Sequence, residues 1–162
     1  VYRESTTKES SRGMGTTMVA ATLYKDTLYV TNVGDSRLYI IGNEIRQITH
    51  DHSLVEEMVR LGKLTKEEGR NHPDKNIITR AIGAEETVTV DCFEEKTGIR
   101  DVILLCSDGL TNMVSNEQIQ QIIKTEKSLQ KTAESLVDTA NRNGGRDNIT
   151  VLLISRKSNE VK

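Results

Sequence analysis

Five apolar residues, Val102 to Cys106, run without interruption into Ser107, Asp108 and Gly109. A short unbroken apolar run of this kind suits a strand buried on both faces. The turn that follows leaves an acidic side chain at the end of an interior strand. A buried carboxylate without a partner costs the fold several kcal/mol, which a helix N-terminus, a basic residue or a metal ion offsets. The plainer alternative is that Asp108 only caps an Asp-Gly turn.

A second stretch bears on this choice. Gly144, Gly145, Arg146, Asp147 and Asn148 lead into the branched apolar run Ile149 to Ile154, so here the acidic residue precedes a strand. If the two strands lie antiparallel and adjacent, Asp108 and Asp147 share one edge of the sheet. Two carboxylates that close repel unless a cation lies between them. Oxygen-only ligands suit magnesium or manganese rather than zinc. A third acidic turn, Gly34-Asp35-Ser36, separates the strand-like segments Leu28 to Val33 and Leu38 to Ile41. Three acidic residues at three strand ends are a sharper signal than any one of them, although acidic turns in a purely structural protein are the bland alternative.

The 162 residues fit one domain. With one Phe and no Trp, the core has to rest on Leu, Ile and Val. A net charge of −2 with both signs scattered argues against nucleic acid as the main partner. No apolar run approaches the roughly 20 residues of a membrane span, and the Ser- and Thr-rich start lacks a signal-peptide core. Cys92 and Cys106 lie in strand-like segments with no C-x-x-C pair, so buried, reduced thiols and a cytoplasmic location are expected. The sequence begins at Val1 without an initiator methionine, which suggests a piece of something longer.

Residues 1–12 are polar and read as a flexible or extended lead-in. Thr17 to Tyr24, Thr27 to Val33, Arg37 to Ile41 and Glu44 to Ile48 read as four strands of an antiparallel meander. From Asp51 the period changes. Ser53 can cap a helix carrying Leu54, Val55, Met58, Val59 and Leu61, and Glu56 completes a capping box with it. Gly62 ends that helix, and Thr65 opens a short second one through Gly69. His50, His52 and His72 match no usual zinc spacing and read as loop residues that hydrogen-bond or face solvent. Thr87 to Phe93 reads as a strand with Val88, Val90 and Cys92 on one face, followed by a charged loop from Glu94 to Asp101. Ser115 with Gln118 boxes a helix to about Lys124. Ser128 opens another with an apolar stripe at Leu129, Ala133, Leu136, Val137 and Ala140. The last strand starts at Ile149, and the charged tail from Ser155 onward is expected to fray. Hairpins with helices gathered on their faces make an α+β layered domain.

Six motifs occur in order: G-M-G-T-T (Gly13 to Thr17), V-G-D-S-R (Val33 to Arg37), T-H-D-H-S (Thr49 to Ser53), T-R-A-I-G (Thr79 to Gly83), C-S-D-G-L (Cys106 to Leu110) and R-D-N-I-T (Arg146 to Thr150). Together they resemble the metal-dependent serine/threonine protein phosphatases of the 2C type in their bacterial form. The resemblance implies a four-layer α-β-β-α sandwich of two antiparallel sheets flanked by helices. Residues 13–155 would be the C-terminal part of the catalytic domain, residues 51–83 its flap, and 156–162 a tail. It implies hydrolysis of phosphoserine and phosphothreonine on proteins by water activated at two Mn2+ or Mg2+ ions. Asp108 and Asp147 would be ligands of that pair, and Asp35 with Asp108 would hold a third, weaker ion. Asn112 stands where many members carry an acidic residue, and is at best a neutral neighbour of the third ion. No catalytic residue beyond the metal ligands is indicated.

The resemblance also sets a departure. The family opens with a phosphate-gripping Arg and an Asp-Gly motif whose Asp bridges both metals, and no D-G-x-G-G precedes Gly13. The expectation is that the sandwich is incomplete at the N-terminus and that this chain alone is inactive. Its open sheet edges would pair with the missing N-terminal segment or with another copy of the chain. Expected partners are phosphorylated proteins and serine/threonine kinases. The competing reading is a non-catalytic relative that binds phosphoproteins or a kinase.

Overall fold

The bend at Gly34 to Ser36 carries the chain from one sheet to another. In the computed structural model, which describes residues 1–156, β1 (Met18–Tyr24) and β2 (Thr27–Val33) form a hairpin across Lys25 and Asp26. Such a two-residue connection demands positive φ, and Lys25 adopts φ 56°. The chain then leaves that sheet. β3 (Arg37–Ile41) and β4 (Ile45–Gln47) belong to a second one, completed by β6 (Val102–Cys106) and β7 (Val151–Ser155) in the order β4-β3-β6-β7. β5 (Asp91–Lys96) returns to the first sheet, whose order is β1-β2-β5. Every pairing is antiparallel. The expected four-strand meander is therefore corrected. Leu28 and Val30 of β2 face Leu38 and Ile40 of β3 across an intersheet core, with Ile103 and Leu105 of β6. Both strands bury a face, and that burial is satisfied by stacking rather than by pairing.

Helices cover the other face of the second sheet. α5 (Asn116–Thr125) is boxed by Ser115 and Gln118, and α6 (Leu129–Arg142) is capped by Ser128. Ile119, Leu136 and Ala140 pack there against Tyr39, Ile41, Leu104 and Cys106. α2 (Leu54–Arg60) and α3 (Lys66–Arg70) form the helical insertion, capped by Ser53 and by a Thr65–Glu68 box. The short α4 (Asp108–Thr111) follows β6 directly. Antiparallel sheets with flanking helices are thus present. No helix of the described residues is long and apolar enough to cross a membrane.

Three further expectations need correction. Tyr2–Thr7 is a helix, α1, rather than extended chain, followed by a 3-10 turn at Glu9–Ser11. It has no apolar face, but Ser5 is buried with its hydroxyl 3.4 Å from Gly83 O, and Lys8 pairs with Glu4 one turn away. The strand expected at Thr87 to Phe93 lies instead at Asp91–Lys96, with Phe93 turned inward. Its charges are tied across strands: Lys96 Nζ donates to Asp26 Oδ1 at 3.1 Å, and Arg46 reaches Glu95 at 3.2 Å. Cys92 consequently faces outward and is exposed, whereas Cys106 is buried as expected. Of the tail expected to fray, residues 157–162 lie outside the described residues.

Candidate active site

Ser107 ties two distant segments together. Its N–H donates to Thr150 O at 3.2 Å, its hydroxyl donates to Asn148 O at 2.9 Å, and Thr150 N–H donates back to that hydroxyl at 3.0 Å. A Cβ on Gly109 would lie 2.4 Å from Asn148 O, so only glycine lets the segments approach this closely. The turn after β6 and the lead-in to β7 are thereby clipped together at one edge of the sheet. This is the side-by-side placement of Asp108 and Asp147 that the sequence suggested.

Asp108 is the first residue of α4 and is partly buried. Burial, and next the neighbouring Asp147 carboxylate, raise its carboxyl pKa. Asn112 Nδ2 donates to Asp108 Oδ2 at 3.1 Å, and its amide oxygen, an acceptor, is the atom through which it can coordinate a cation. Asp147 is exposed and accepts from the Asn148 N–H at 2.7 Å. Asp35 sits on the crossover between the sheets. Burial, and next the Asp108 carboxylate, push it up to about 6. The nearby Arg37 does not relieve these charges fully, because it is engaged: its Nε and Nη2 donate to Asp51 at 2.9 and 2.7 Å.

Asp35, Asp108 and Asn112 line one cleft of about 570 Å³. The helices α2 and α3 contribute Glu56, Lys66 and Arg70 to it. Asp147 is beside Asp108 but does not line this cleft. Among the described residues no three His, Cys, Asp or Glu side chains converge as a group that could by itself hold a metal. The structure thus gathers Asp35, Asp108 and Asn112 at the cleft and brings Asp147 alongside, without closing a three-carboxylate cluster. Carboxylates that hold protons above their usual range through burial first and mutual repulsion second are suited to a hard divalent cation, and the donors are all oxygen. Cys106 offers no alternative chemistry, since burial pushes its thiol up to about 12.

The histidines hold no common site. His50 is exposed with its ring edge-on to Phe93, His72 Nδ1 accepts from the Asp74 N–H at 3.2 Å, and His52 is buried. The sequence did not reveal the Ser107 clip, the Arg37–Asp51 pair or the partners of His52. Both H-D-H-S and T-R-A-I-G were visible as motifs, but no local spacing rule joins them.

Two sheets stacked face to face, helices on the second, and acidic turns gathered at one end define the class. The protein phosphatase 2C family model matches residues 2–149, and the chain belongs to that family. It is 50% identical over 157 residues to the serine/threonine phosphatase stp of Listeria welshimeri, covering 96% of this chain and 62% of that protein. The crystal structure of serine/threonine phosphatase Stp1 from Staphylococcus aureus superposes with a TM-score of 0.94 at 36% identity, over 97% of this chain and 62% of that one. The catalytic domain of serine/threonine protein phosphatase PstP, solved with 2 manganese ions, matches with a TM-score of 0.79 at 34% identity, over 90% of this chain and 60% of that one. The chain therefore spans somewhat less than two thirds of the length of these relatives.

Proposed function

We propose that the cleft is part of a protein serine/threonine phosphatase site, with Asp108, Asp147 and Asp35 as carboxylate ligands of divalent cations. The observation that carries this reading is the Ser107–Gly109 clip, which sets Asp108 against Asp147 at the family's metal-ligand motifs. Two Mn2+ or Mg2+ ions held by Asp108 and Asp147, with a weaker third at Asp35, would supply an activated water and neutralise charge on the phosphoryl oxygens. The residues of this chain do the rest of what it contributes. Asp108 and Asp35 present negative oxygen donors, Asn112 orients the Asp108 carboxylate, and Lys66 and Arg70 bring positive charge to the same cleft. That charge suits a phosphorylated peptide, so the substrates would be phosphoserine and phosphothreonine proteins, in opposition to serine/threonine kinases. A cytoplasmic location accords with free Cys92 and Cys106.

By this reading the chain on its own does not turn over substrate, because its carboxylates do not close a three-ligand cluster. The same observation favours a second reading, a non-catalytic relative that binds phosphoproteins or a kinase. A chimera separates them: the N-terminal portion of the Listeria relative joined ahead of this chain, assayed on a phosphothreonine peptide with manganese. Turnover that disappears with Asp108→Asn is the expected result. An inactive but folded chimera that still binds the phosphopeptide establishes the second reading instead.

A further inference from the structure

Gly34, the residue before Asp35, is gripped on both sides by one histidine. Its N–H donates to His52 Nδ1 at 3.0 Å, and its carbonyl accepts from the His52 backbone N–H at 3.0 Å. Asn32 Nδ2 donates to the same carbonyl at 3.2 Å. Since Nδ1 accepts, the ring proton sits on Nε2. Asp91 Oδ2 lies 3.1 Å from that nitrogen. Arg80, in the T-R-A-I-G loop, donates from Nη1 to Asp91 Oδ1 at 2.7 Å and to Thr89 O at 3.2 Å; the same atom lies 2.9 Å from His52 Nε2, where donor meets donor, so Arg80 supports the ring through Asp91 rather than by bonding it. The His52 ring is 7% exposed, so it has no room to turn. Gly34 itself adopts φ 104° with the Thr17 side chain packed against it, leaving the turn little freedom.

We propose that His52 is a positioning residue for Asp35: backed by Asp91 and Arg80, it fixes the crossover turn that aims the Asp35 carboxylate at a bound divalent cation. This rests on the reading of Asp35 as a cation ligand. Three segments meet at one imidazole: the Asp35 crossover, the loop bearing Arg80, and the start of β5 at Asp91. A metal ligand on a tight turn is only as well placed as the hydrogen bonds behind it, which is why outer partners of metal sites influence affinity.

The test compares the chimera that carries the N-terminal portion of the Listeria relative ahead of this chain with its His52→Asn and His52→Gln variants. Asn places an oxygen near the Nδ1 position and keeps the acceptor for Gly34. Gln reaches toward Asp91 and leaves the Gly34 N–H without one. In the wild type, nitrogen-15 NMR should show the Nε2–H tautomer and a coupling across the Gly34–His52 hydrogen bond. Manganese titration, read by broadening of the Asp35 amide signal, should give near wild-type affinity for His52→Asn and an affinity about 10-fold weaker for His52→Gln. Circular dichroism should show both variants folded. An Nδ1–H tautomer, or unchanged manganese affinity in His52→Gln, overturns the proposal. An Asp35→Asn control that binds manganese as the wild type does overturns the ligand reading beneath it, whatever the tautomer shows.

Discussion

Asp35 holds a carboxylate where the fold disfavours its charge. Its pKa rises from 3.8 to about 6, first through burial and then through Asp108. A group that binds its proton more tightly when folded favours the fold most below its unfolded pKa, and that favour is lost as pH rises through the folded one. Without metal, Asp35→Asn should therefore raise the urea midpoint at pH 8 and change it little at pH 4. Equal shifts at both values would contradict the assigned burial. Asp91 works in the opposite sense. Burial opposes its charge, but His52 and Arg80 outweigh this and its pKa is lowered. Its contribution is present above the unfolded value and lost as pH falls through the folded one, so Asp91→Asn should flatten the acid limb of stability against pH. All three carboxylates of the proposed site could be read from the sequence, because each follows or precedes an apolar run. Their supports could not. Ser107 to Asn148 and Gly34 to His52 are contacts between residues many positions apart, and no local pattern encodes them.

At the scale of elements, the two loops that carry Asp108 and Asp147 stand or fall together. Gly109→Ala would drive a methyl into the Asn148 carbonyl, and overpacking of this kind costs about 1–3 kcal/mol. The expected result is a lower melting temperature together with weaker manganese binding, and a loss of stability alone would mean the clip does not place the ligands. Leu136→Ala in α6 should cost about 2–5 kcal/mol by chemical denaturation, since the side chain is 0% exposed, without altering which cations bind. The helices α2, α3, α5 and α6 were legible because their caps are local: Ser53, Thr65, Ser115 and Ser128 each accept a backbone N–H at the helix start. β5 was displaced in the reading because its charged residues looked like a loop. Lys96 and Glu95 lie in a strand because they pair with β2, and their partners, Asp26 in the β1–β2 turn and Arg46 in the second sheet, become visible only in three dimensions.

Over the whole molecule, the two faces of the sandwich are unequally covered. The second sheet is sealed by α5 and α6, while the outward face of the first exposes Met18 (44%), Tyr24 (62%) and Tyr29 (44%). Burial alternates along β1, and among the described residues its outward side lacks a helical layer. An apolar face of this kind tends to find a partner, and a further β/α segment or another copy of the chain would fit it. Sedimentation should show self-association that rises with concentration and declines in a Tyr24→Lys, Tyr29→Lys variant. On the function proposed above, the clipped pair Asp108 and Asp147 would gather divalent cations for phosphate ester hydrolysis. Isothermal titration of the metal-free chimera, this chain preceded by the N-terminal portion of the Listeria relative, with manganese tests it most directly, alongside the same chimera carrying Asp108→Asn. Saturable binding by the wild type that is lost in the variant is the expected result, whereas identical titrations would remove Asp108 from the metal site and the phosphatase chemistry with it.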